Sequence, residues 1–171
     1  DVVNLAWKLA GVINGWGGCN LLKSYHIERY KNSLRNTEFA RKFADSIGSY
    51  SAVPELEDDT EEGRKARKEA GIYLEAHARA EFNIPGITFG YRYDGSLIIA
   101  HDAAILPPDL ANEYTPTASP GGRAPHAWLD DGSSLYDKFG FEFTLMCLRP
   151  DVDISEIKKV VSEKVVPVTF I

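Results

Sequence analysis

The spacing of apolar side chains predicts two helices at the start of the chain. Leu5, Leu9 and Val12 recur at helical spacing, and the glycine-rich stretch that follows them ends this first helix. A second, longer helix is predicted over residues 20–47, with Asn20 as its N-cap. The chain therefore begins as helical structure.

A third helix and a hairpin are predicted next. Thr60 can cap a helix whose first turn is acidic, which suits the helix dipole, and Pro85–Gly86 ends that helix. From residue 87 the apolar period changes to two and continues to residue 93. Asp94–Gly95 is a hairpin-turn dipeptide leading into residues 97–99, so these residues predict two antiparallel strands.

The last part of the chain has the pattern of a strand–helix–strand unit. A short strand is predicted at residues 127–129 and a longer one at 141–147. Asp153, with a glutamate three residues later, resembles a capping box that begins a helix over 154–161, and residues 165–171 form an apolar strand. A helical crossover of this length joins parallel strands.

These elements together predict an α/β fold in two parts. Residues 1–105 hold the helices and the connecting hairpin, and the proline-rich residues 106–125 are predicted to be a linker. Residues 126–171 form a partial α/β domain that contains no C-x-x-C motif.

Composition and charge exclude several classes of protein. The chain has 171 residues, of which 44% are hydrophobic and 26% charged, and its net charge is −6, so a nucleic-acid partner is not expected. No apolar run approaches the roughly 20 residues of a membrane span, so no membrane partner is expected. Cys19 and Cys147 are far apart in sequence, and the default location is a reducing cytoplasm.

The two ends of the sequence predict that it is a piece of a longer chain. It opens at Asp1 inside a helical pattern and closes on an apolar strand without a polar tail. No basic segment precedes a small-residue cleavage site, so no signal peptide is predicted.

The residues alone predict no catalytic and no metal site. The four histidines are scattered, and nucleophile elbows, P-loops and G-x-G-x-x-G turns are missing. His101–Asp102 has the types of a base and its orienter, but adjacent residues on a strand point to opposite faces, which favours a surface loop. The acidic residues 55–62 favour a solvated face over a docking site.

Arg123 and His126 are the best-placed polar pair in the sequence, since glycines and prolines surround them. They have two interpretations. They could contact a ligand, or they could attach the linker to the following domain, and the second interpretation is favoured.

Two segments carry long motifs. The first reads D-V-V-N-L-A-W-K-L-A at residues 1–10, with L-L-K-S-Y at 21–25 and E-R at 28–29. The second reads P-G-G-R-A-P-H-A-W-L at 120–129 and continues with D-G-S-S-L-Y-D from residue 131. Both resemble signatures of the single-component FAD-dependent aromatic hydroxylases, the phenol hydroxylase and polyketide hydroxylase group.

This resemblance implies a C-terminal portion of such an enzyme. Residues 1–105 would be helices at the end of the FAD-binding monooxygenase domain, and residues 126–171 an incomplete thioredoxin-like domain. In the family, NAD(P)H reduces the FAD and O2 supplies the oxygen that enters a phenolic or polyketide ring. The implied cofactor is therefore FAD, the reductant NADH or NADPH, and the partner a small aromatic substrate.

The resemblance also implies a place for the cofactor. The helix of residues 1–10 would follow the segments that cradle FAD, with its N-terminus directed towards the cofactor. Asp1 and Asn4 are then the cofactor-side residues of this chain, placed behind those that touch FAD.

Parts of the family's pattern have no counterpart here, which leaves three hypotheses. Because the G-x-G-x-x-G turn is missing, we expect the chain by itself to be catalytically silent. It is a structural piece of the enzyme, a stand-alone dimerisation or binding module, or half of a split flavoenzyme whose N-terminal FAD-binding half is another polypeptide. The first hypothesis predicts a missing partner for two apolar surfaces, the strand of residues 165–171 and the helix face of Leu5, Leu9 and Val12. The second hypothesis, a stand-alone module, predicts that no apolar patch is exposed.

Overall fold

The computed structural model describes all residues from 1 to 171. Its five helices are α1 (Val2–Ile13), α2 (Cys19–Gly48), α3 (Glu61–Phe82), α4 (Pro85–Phe89) and α5 (Ser155–Glu163), and its two strands are β1 (Phe143–Leu145) and β2 (Val168–Phe170). Two short 3-10 turns cover Pro54–Glu57 and Leu135–Lys138. None of the helices is both long enough and apolar enough to cross a membrane.

The chain divides into two compact units. Unit 1 contains residues 1–27, 96–98 and 124–171, and unit 2 contains residues 28–95 and 99–123. The domain boundaries at residues 105 and 125 that the sequence suggests remain a prediction.

The three long helices are confirmed, but α2 begins at Cys19, so Asn20 lies inside its first turn and is not its N-cap. The third begins as expected, because the Thr60 hydroxyl accepts a hydrogen bond from the Gly63 N–H at 3.1 Å. Glu61 and Glu62 occupy its first turn, where their charges face the positive end of the helix dipole.

The strand–helix–strand prediction is also confirmed. β1 and β2 pair in parallel, with Phe143 opposite Val168 and Leu145 opposite Phe170, and α5 lies between them in sequence. Each strand has only three residues. The α/β fold class is therefore confirmed.

The hairpin predicted over residues 87–99 is wrong. Pro85 occupies the first position of α4, and the Gly86 N–H bonds the Ala111 carbonyl at 3.0 Å, so the chain turns helical there. Tyr93 bonds its N–H to the Gly121 carbonyl at 2.9 Å, with no strand partner across the turn. Asp94–Gly95 does turn, with Gly95 at a φ of 79°, but the flanking segments bond elsewhere.

Two smaller expectations need correction. The strand at residues 127–129 is only an isolated bridge between Trp128 and Ser134. No capping box forms around Asp153, because its carboxylate accepts from the N–H and hydroxyl of Ser155 at 2.9 and 2.5 Å, while Ile154 is the N-cap. The capping box lies instead at Ser134, with Asp137 as its partner.

In unit 2, polar side chains bind the irregular segment after α4 to the helices. Arg35 of α2 makes a two-pronged ion pair with Asp109, at 2.7 and 2.6 Å, and also donates to the Gly86 carbonyl at 2.9 Å. Asn112 donates to two backbone carbonyls at the end of α3, those of Ala80 and Asn83, each at 2.7 Å.

Replacing Gly86 by alanine is expected to destabilise unit 2. A Cβ there would lie 1.7 Å from the Leu110 carbonyl oxygen and 2.4 Å from that of Glu113. Because the backbone would have to move to accommodate this Cβ, we expect the free energy of unfolding, measured with urea, to fall by about 1–3 kcal/mol or more. Gly71→Ala is the control: it enters open space inside α3 and should stabilise the chain by about 0.5–1 kcal/mol. If the two variants changed the free energy of unfolding equally, the close packing of the Leu110 and Glu113 carbonyls against Gly86 would be contradicted.

Asp131 is expected to make the stability of unit 1 sensitive to acid. The hydroxyl and N–H of Ser133 donate to this carboxylate, as does the Lys138 ammonium at 3.0 Å, and they hold the pKa of Asp131 well below its ordinary value. A lowered folded-state pKa stabilises the fold above the unfolded pKa of about 3.9, and the effect disappears as pH falls through the folded-state pKa.

We therefore expect Asp131→Asn to lower the thermal midpoint at pH 7, with a difference from the parent chain that shrinks as the pH falls below about 4. Thermal melts followed by circular dichroism over this range test the expectation. A difference that is constant with pH would show that the carboxylate does not act through its charge.

Candidate functional site

The N-terminus of α1 presents hydrogen-bond donors. Asp1 is the N-cap, but its side chain does not cap the helix, and the first intrahelical bond runs from the Leu5 N–H to the Asp1 carbonyl at 3.0 Å. The N–H groups ahead of Leu5 have no acceptor within the helix. Together with the helix dipole, they favour a carbonyl or an anion at this end.

Asn4 lies on the first turn of the same helix. Its side-chain oxygen is buried, whereas Asp1 is exposed. The structure therefore places both predicted cofactor-side residues at one end of α1, and their role towards FAD remains a prediction.

Three aromatic rings pack together in unit 1. Trp7 of α1 and Trp16 of the following turn are stacked, with ring centroids 6.4 Å apart. Phe143 of β1 meets both rings edge-on, at 5.6 and 5.7 Å. Gly11 permits the arrangement, because a Cβ there would lie 2.6 Å from the Trp16 ring.

A buried lysine connects α1 to α2 within unit 1. Lys8 and Ser24 are both fully buried, and the Lys8 ammonium donates to the Ser24 hydroxyl at 2.7 Å. The hydroxyl in turn donates to the Leu21 carbonyl at 2.6 Å. A buried ammonium needs such acceptors, since losing water without them is costly. Sequence reasoning missed this pair, although a lysine among the apolar residues of the first motif was a visible signal.

An apolar groove of about 460 Å³ lies in unit 1. No titratable side chain lines it, so it offers a surface for apolar contact and no acid–base chemistry. Its walls come from the turn after α1, the start of α2, the segment at Ile98, both strands and α5. The lining residues are Trp16, Gly17, Gly18, Asn20, Leu21, Ile98, Phe143, Thr144, Leu145, Ile157, Val161, Val166 and Val168.

Arg123 and His126 have separate surroundings. Arg123 belongs to unit 2, where its guanidinium carbon lies 5.1 Å from the centre of the Phe89 ring. His126 belongs to unit 1, bonds the Ser134 hydroxyl at 3.0 Å, and meets the rings of Trp128 and Tyr136 edge-on.

The remaining histidine candidates do not form a reactive site. His101 and Asp102 lie in an exposed irregular segment, and the Asp102 carboxylate accepts from the Ala104 N–H. His77 is largely buried between the Ser46 hydroxyl at 3.1 Å and the Glu81 carboxylate at 2.8 Å, where it joins α2 to α3. No group of three or more His, Cys, Asp or Glu side chains is arranged to hold a metal ion.

Comparison with known proteins places this geometry in context. Residues 1–40 match a family model described as an FAD binding domain. The chain is 34% identical over 151 residues to the FAD-dependent monooxygenase opdD of Penicillium oxalicum, covering 85% of this chain and 28% of the relative. It is 31% identical over 156 residues to a phenol 2-monooxygenase of a Pseudomonas species, covering 80% of this chain and 25% of the relative.

Solved structures agree over almost the whole chain. RebC, crystallised with bound 7-carboxy-K252c after soaking with chromopyrrolic acid, superposes with a TM-score of 0.85 at 32% identity, covering 98% of this chain and 32% of that one. The flavin-dependent monooxygenase PieE, in complex with FAD and substrate, gives a TM-score of 0.73 at 26% identity, covering 98% of this chain and 33% of that one.

The matched relatives are FAD-dependent monooxygenases or their structures, and the matches extend over most of this chain. The chain is a partial-length relative of the FAD-dependent aromatic hydroxylases, as the two sequence motifs predicted. It spans between about a quarter and a third of the length of these relatives. The prediction that it corresponds to part of such an enzyme is confirmed.

Removing the Ser24 hydroxyl is expected to destabilise unit 1. In Ser24→Ala, the buried Lys8 ammonium loses an acceptor, which should cost about 1–3 kcal/mol in guanidinium unfolding. Ser33→Ala is the matched control, because Ser33 is an exposed serine of the same helix. Equal stability of the two variants would show that the buried bond contributes nothing.

Proposed function

We propose that this chain is part of a flavin-dependent monooxygenase that hydroxylates a phenolic or polyketide aromatic substrate using FAD, NAD(P)H and O2. The observation that supports it most directly is α1. This helix carries the first motif, lies within the residues that match the FAD binding domain, and presents its N–H donors at one end.

The residues at the start of α1 suit a flavin. When bound, FAD would supply the redox chemistry with NAD(P)H and O2, which protein side chains cannot provide. The N–H groups of the first turn would stabilise negative charge on the flavin, and the helix dipole adds to this effect. Asp1 and Asn4 would hold this helix end in place behind the residues that touch FAD.

Burial of apolar side chains supports a role as part of a larger assembly. Leu21 is the one apolar side chain that is buried, whereas Val165 is 76% exposed. Leu9 and Val12, on the helix face that was expected to need a partner, are also exposed. This distribution argues against a stand-alone module, which should not expose apolar patches.

The partners follow from the same proposal. The N-terminal FAD-binding half would come either from the same polypeptide or, in a split enzyme, from another one, and a homodimer is compatible with both. The proposed substrate is a small aromatic molecule, the proposed location is the cytoplasm, and neither nucleic acid nor membrane is a proposed partner. Within the enzyme, residues 1–105 would be the C-terminal helices and connecting segment of the FAD-binding domain. Residues 106–125 would link them to residues 126–171, which would form part of a thioredoxin-like domain.

A visible absorption spectrum tests the proposal. We expect the purified chain to be colourless and to oxidise no NAD(P)H in the presence of phenols. Joined to a nucleotide-binding half, it should show the bands of oxidised flavin and phenol-dependent NAD(P)H oxidation. In that assembled protein, Asn4→Leu should weaken FAD binding, with the exposed Ser33→Ala as its control.

An assembled protein without flavin, or one that binds FAD but never couples NAD(P)H oxidation to an aromatic substrate, would contradict the monooxygenase. Equal FAD affinity and equal flavin spectra for Asn4→Leu and its control would contradict the role of α1 alone.

A further inference from the structure

A pocket of about 440 Å³ in unit 2 combines positive charge with aromatic rings. Two arginines line it, together with neutral hydrogen-bonding groups and ring faces, and none of its lining residues is aspartate or glutamate. The residues that matter here are Arg29, Asn32, Phe89, Tyr93, the Gly121–Gly122 turn and Arg123.

The guanidinium of Arg29 is held from two sides. One of its terminal nitrogens donates to the Tyr93 hydroxyl at 3.4 Å. The Asn32 side chain, only 8% exposed, accepts from both terminal nitrogens at 2.6 and 3.2 Å in the amide orientation that satisfies both groups. A guanidinium fixed in this way loses little conformational freedom when a ligand binds.

Arg123 is held by stacking. Its guanidinium carbon lies 5.1 Å from the centre of the Phe89 ring. Such a contact uses the face of the guanidinium and leaves its N–H donors directed outward in the plane. The Arg123 side chain is exposed.

The backbone next to Arg123 is fixed against Tyr93. Gly121 has a φ of 87°, its carbonyl accepts from the Tyr93 N–H at 2.9 Å, and a Cβ there would lie 3.3 Å from the Tyr93 nitrogen. The turn that positions Arg123 therefore packs on the residue whose side chain contacts Arg29.

Two carboxylates lie nearby without lining the pocket. Burial is the main cause that raises the pKa of Tyr91, and the negative charges of Glu28 and Asp94 raise it further. The Tyr91 hydroxyl also donates a hydrogen bond to the Glu28 backbone carbonyl. The Asp94 carboxylate is 3.4 Å from Arg92, which is not among the lining residues.

We propose that this pocket binds an organic oxyanion, a carboxylate or a phosphate, attached to a flat ring. The two guanidinium groups would bind the oxyanion through paired N–H donors, and the ring would lie against the tyrosine and phenylalanine side chains. A volume of about 440 Å³ suits a ligand of one to three rings. The proposal goes beyond the monooxygenase function, because it needs neither flavin nor turnover.

Calorimetric titration of the 171-residue chain with two pairs of probes tests this site. The pairs are benzoate with benzyl alcohol, and adenosine 5′-monophosphate with adenosine. We expect at least one anion to bind at least about tenfold more tightly than its neutral counterpart. Benzoate alone would identify a carboxylate site, and the nucleotide alone a phosphate site. Failure of both anions to bind, or equal binding of the neutral probes, would overturn the proposal.

Nuclear magnetic resonance locates the bound anion. In spectra of ¹⁵N-labelled protein, the amides of Tyr93, Gly121 and Gly122 should shift on titration with the anion that binds. Shifts confined to other parts of the chain would overturn the assignment.

Variants separate specific binding from general attraction. Because Arg123 is exposed, Arg123→Gln should weaken binding of the anion at least about tenfold without changing the circular dichroism spectrum. Arg29→Lys keeps the charge but loses the paired donors, so its effect should be intermediate. Arg149→Gln is the matched control, since this arginine is exposed in unit 1 and lies 3.7 Å from Asp151. If Arg123→Gln bound the anion as tightly as the control, the proposal would fail.

Discussion

The structure depends on polar side chains that bond backbone carbonyls, because little apolar surface is fully buried. Leu21 is the one buried apolar side chain, whereas Lys8, Ser24 and Glu28 are among the most buried side chains of any kind. Buried polar groups stabilise a fold only when their hydrogen bonds are made. In unit 2, the bonds from Arg35 to the Gly86 carbonyl and from Asn112 to the end of α3 connect the segment after Pro85 to the long helices.

Local periodicity predicted the elements whose apolar faces and caps lie close together in sequence. The helices α1 to α3 and the strand–helix–strand unit belong to this class, and Thr60 shows that even a cap could be found. The hairpin failed because its backbone partners lie far along the chain: Gly86 bonds Ala111, and Tyr93 bonds Gly121. An alternating pattern indicates which faces differ, but it does not indicate which segment supplies the hydrogen bonds.

In the candidate site, too, features formed by residues close in sequence could be predicted, and contacts between distant residues could not. Asp1 and Asn4 could be placed from the motif, since they share one helix end. The bond between Lys8 and Ser24 joins residues 16 positions apart, and the pocket of Arg29 and Arg123 joins more distant ones. The first sequence motif and the match of residues 1–40 to an FAD binding domain supply the flavin interpretation, which helix geometry alone would not have supplied.

The parallel pair of β1 and β2 has a consequence for hydrogen exchange. Phe143, Cys147 and Ile171 each donate their N–H across this pair, to the carbonyls of Pro167, Ile171 and Leu145 respectively. These amides are protected from exchange only while the two strands are paired, and the strands can pair only when α5 is folded between them. They should therefore exchange with solvent deuterium as a single group, at a rate set by the opening of the whole strand–helix–strand unit.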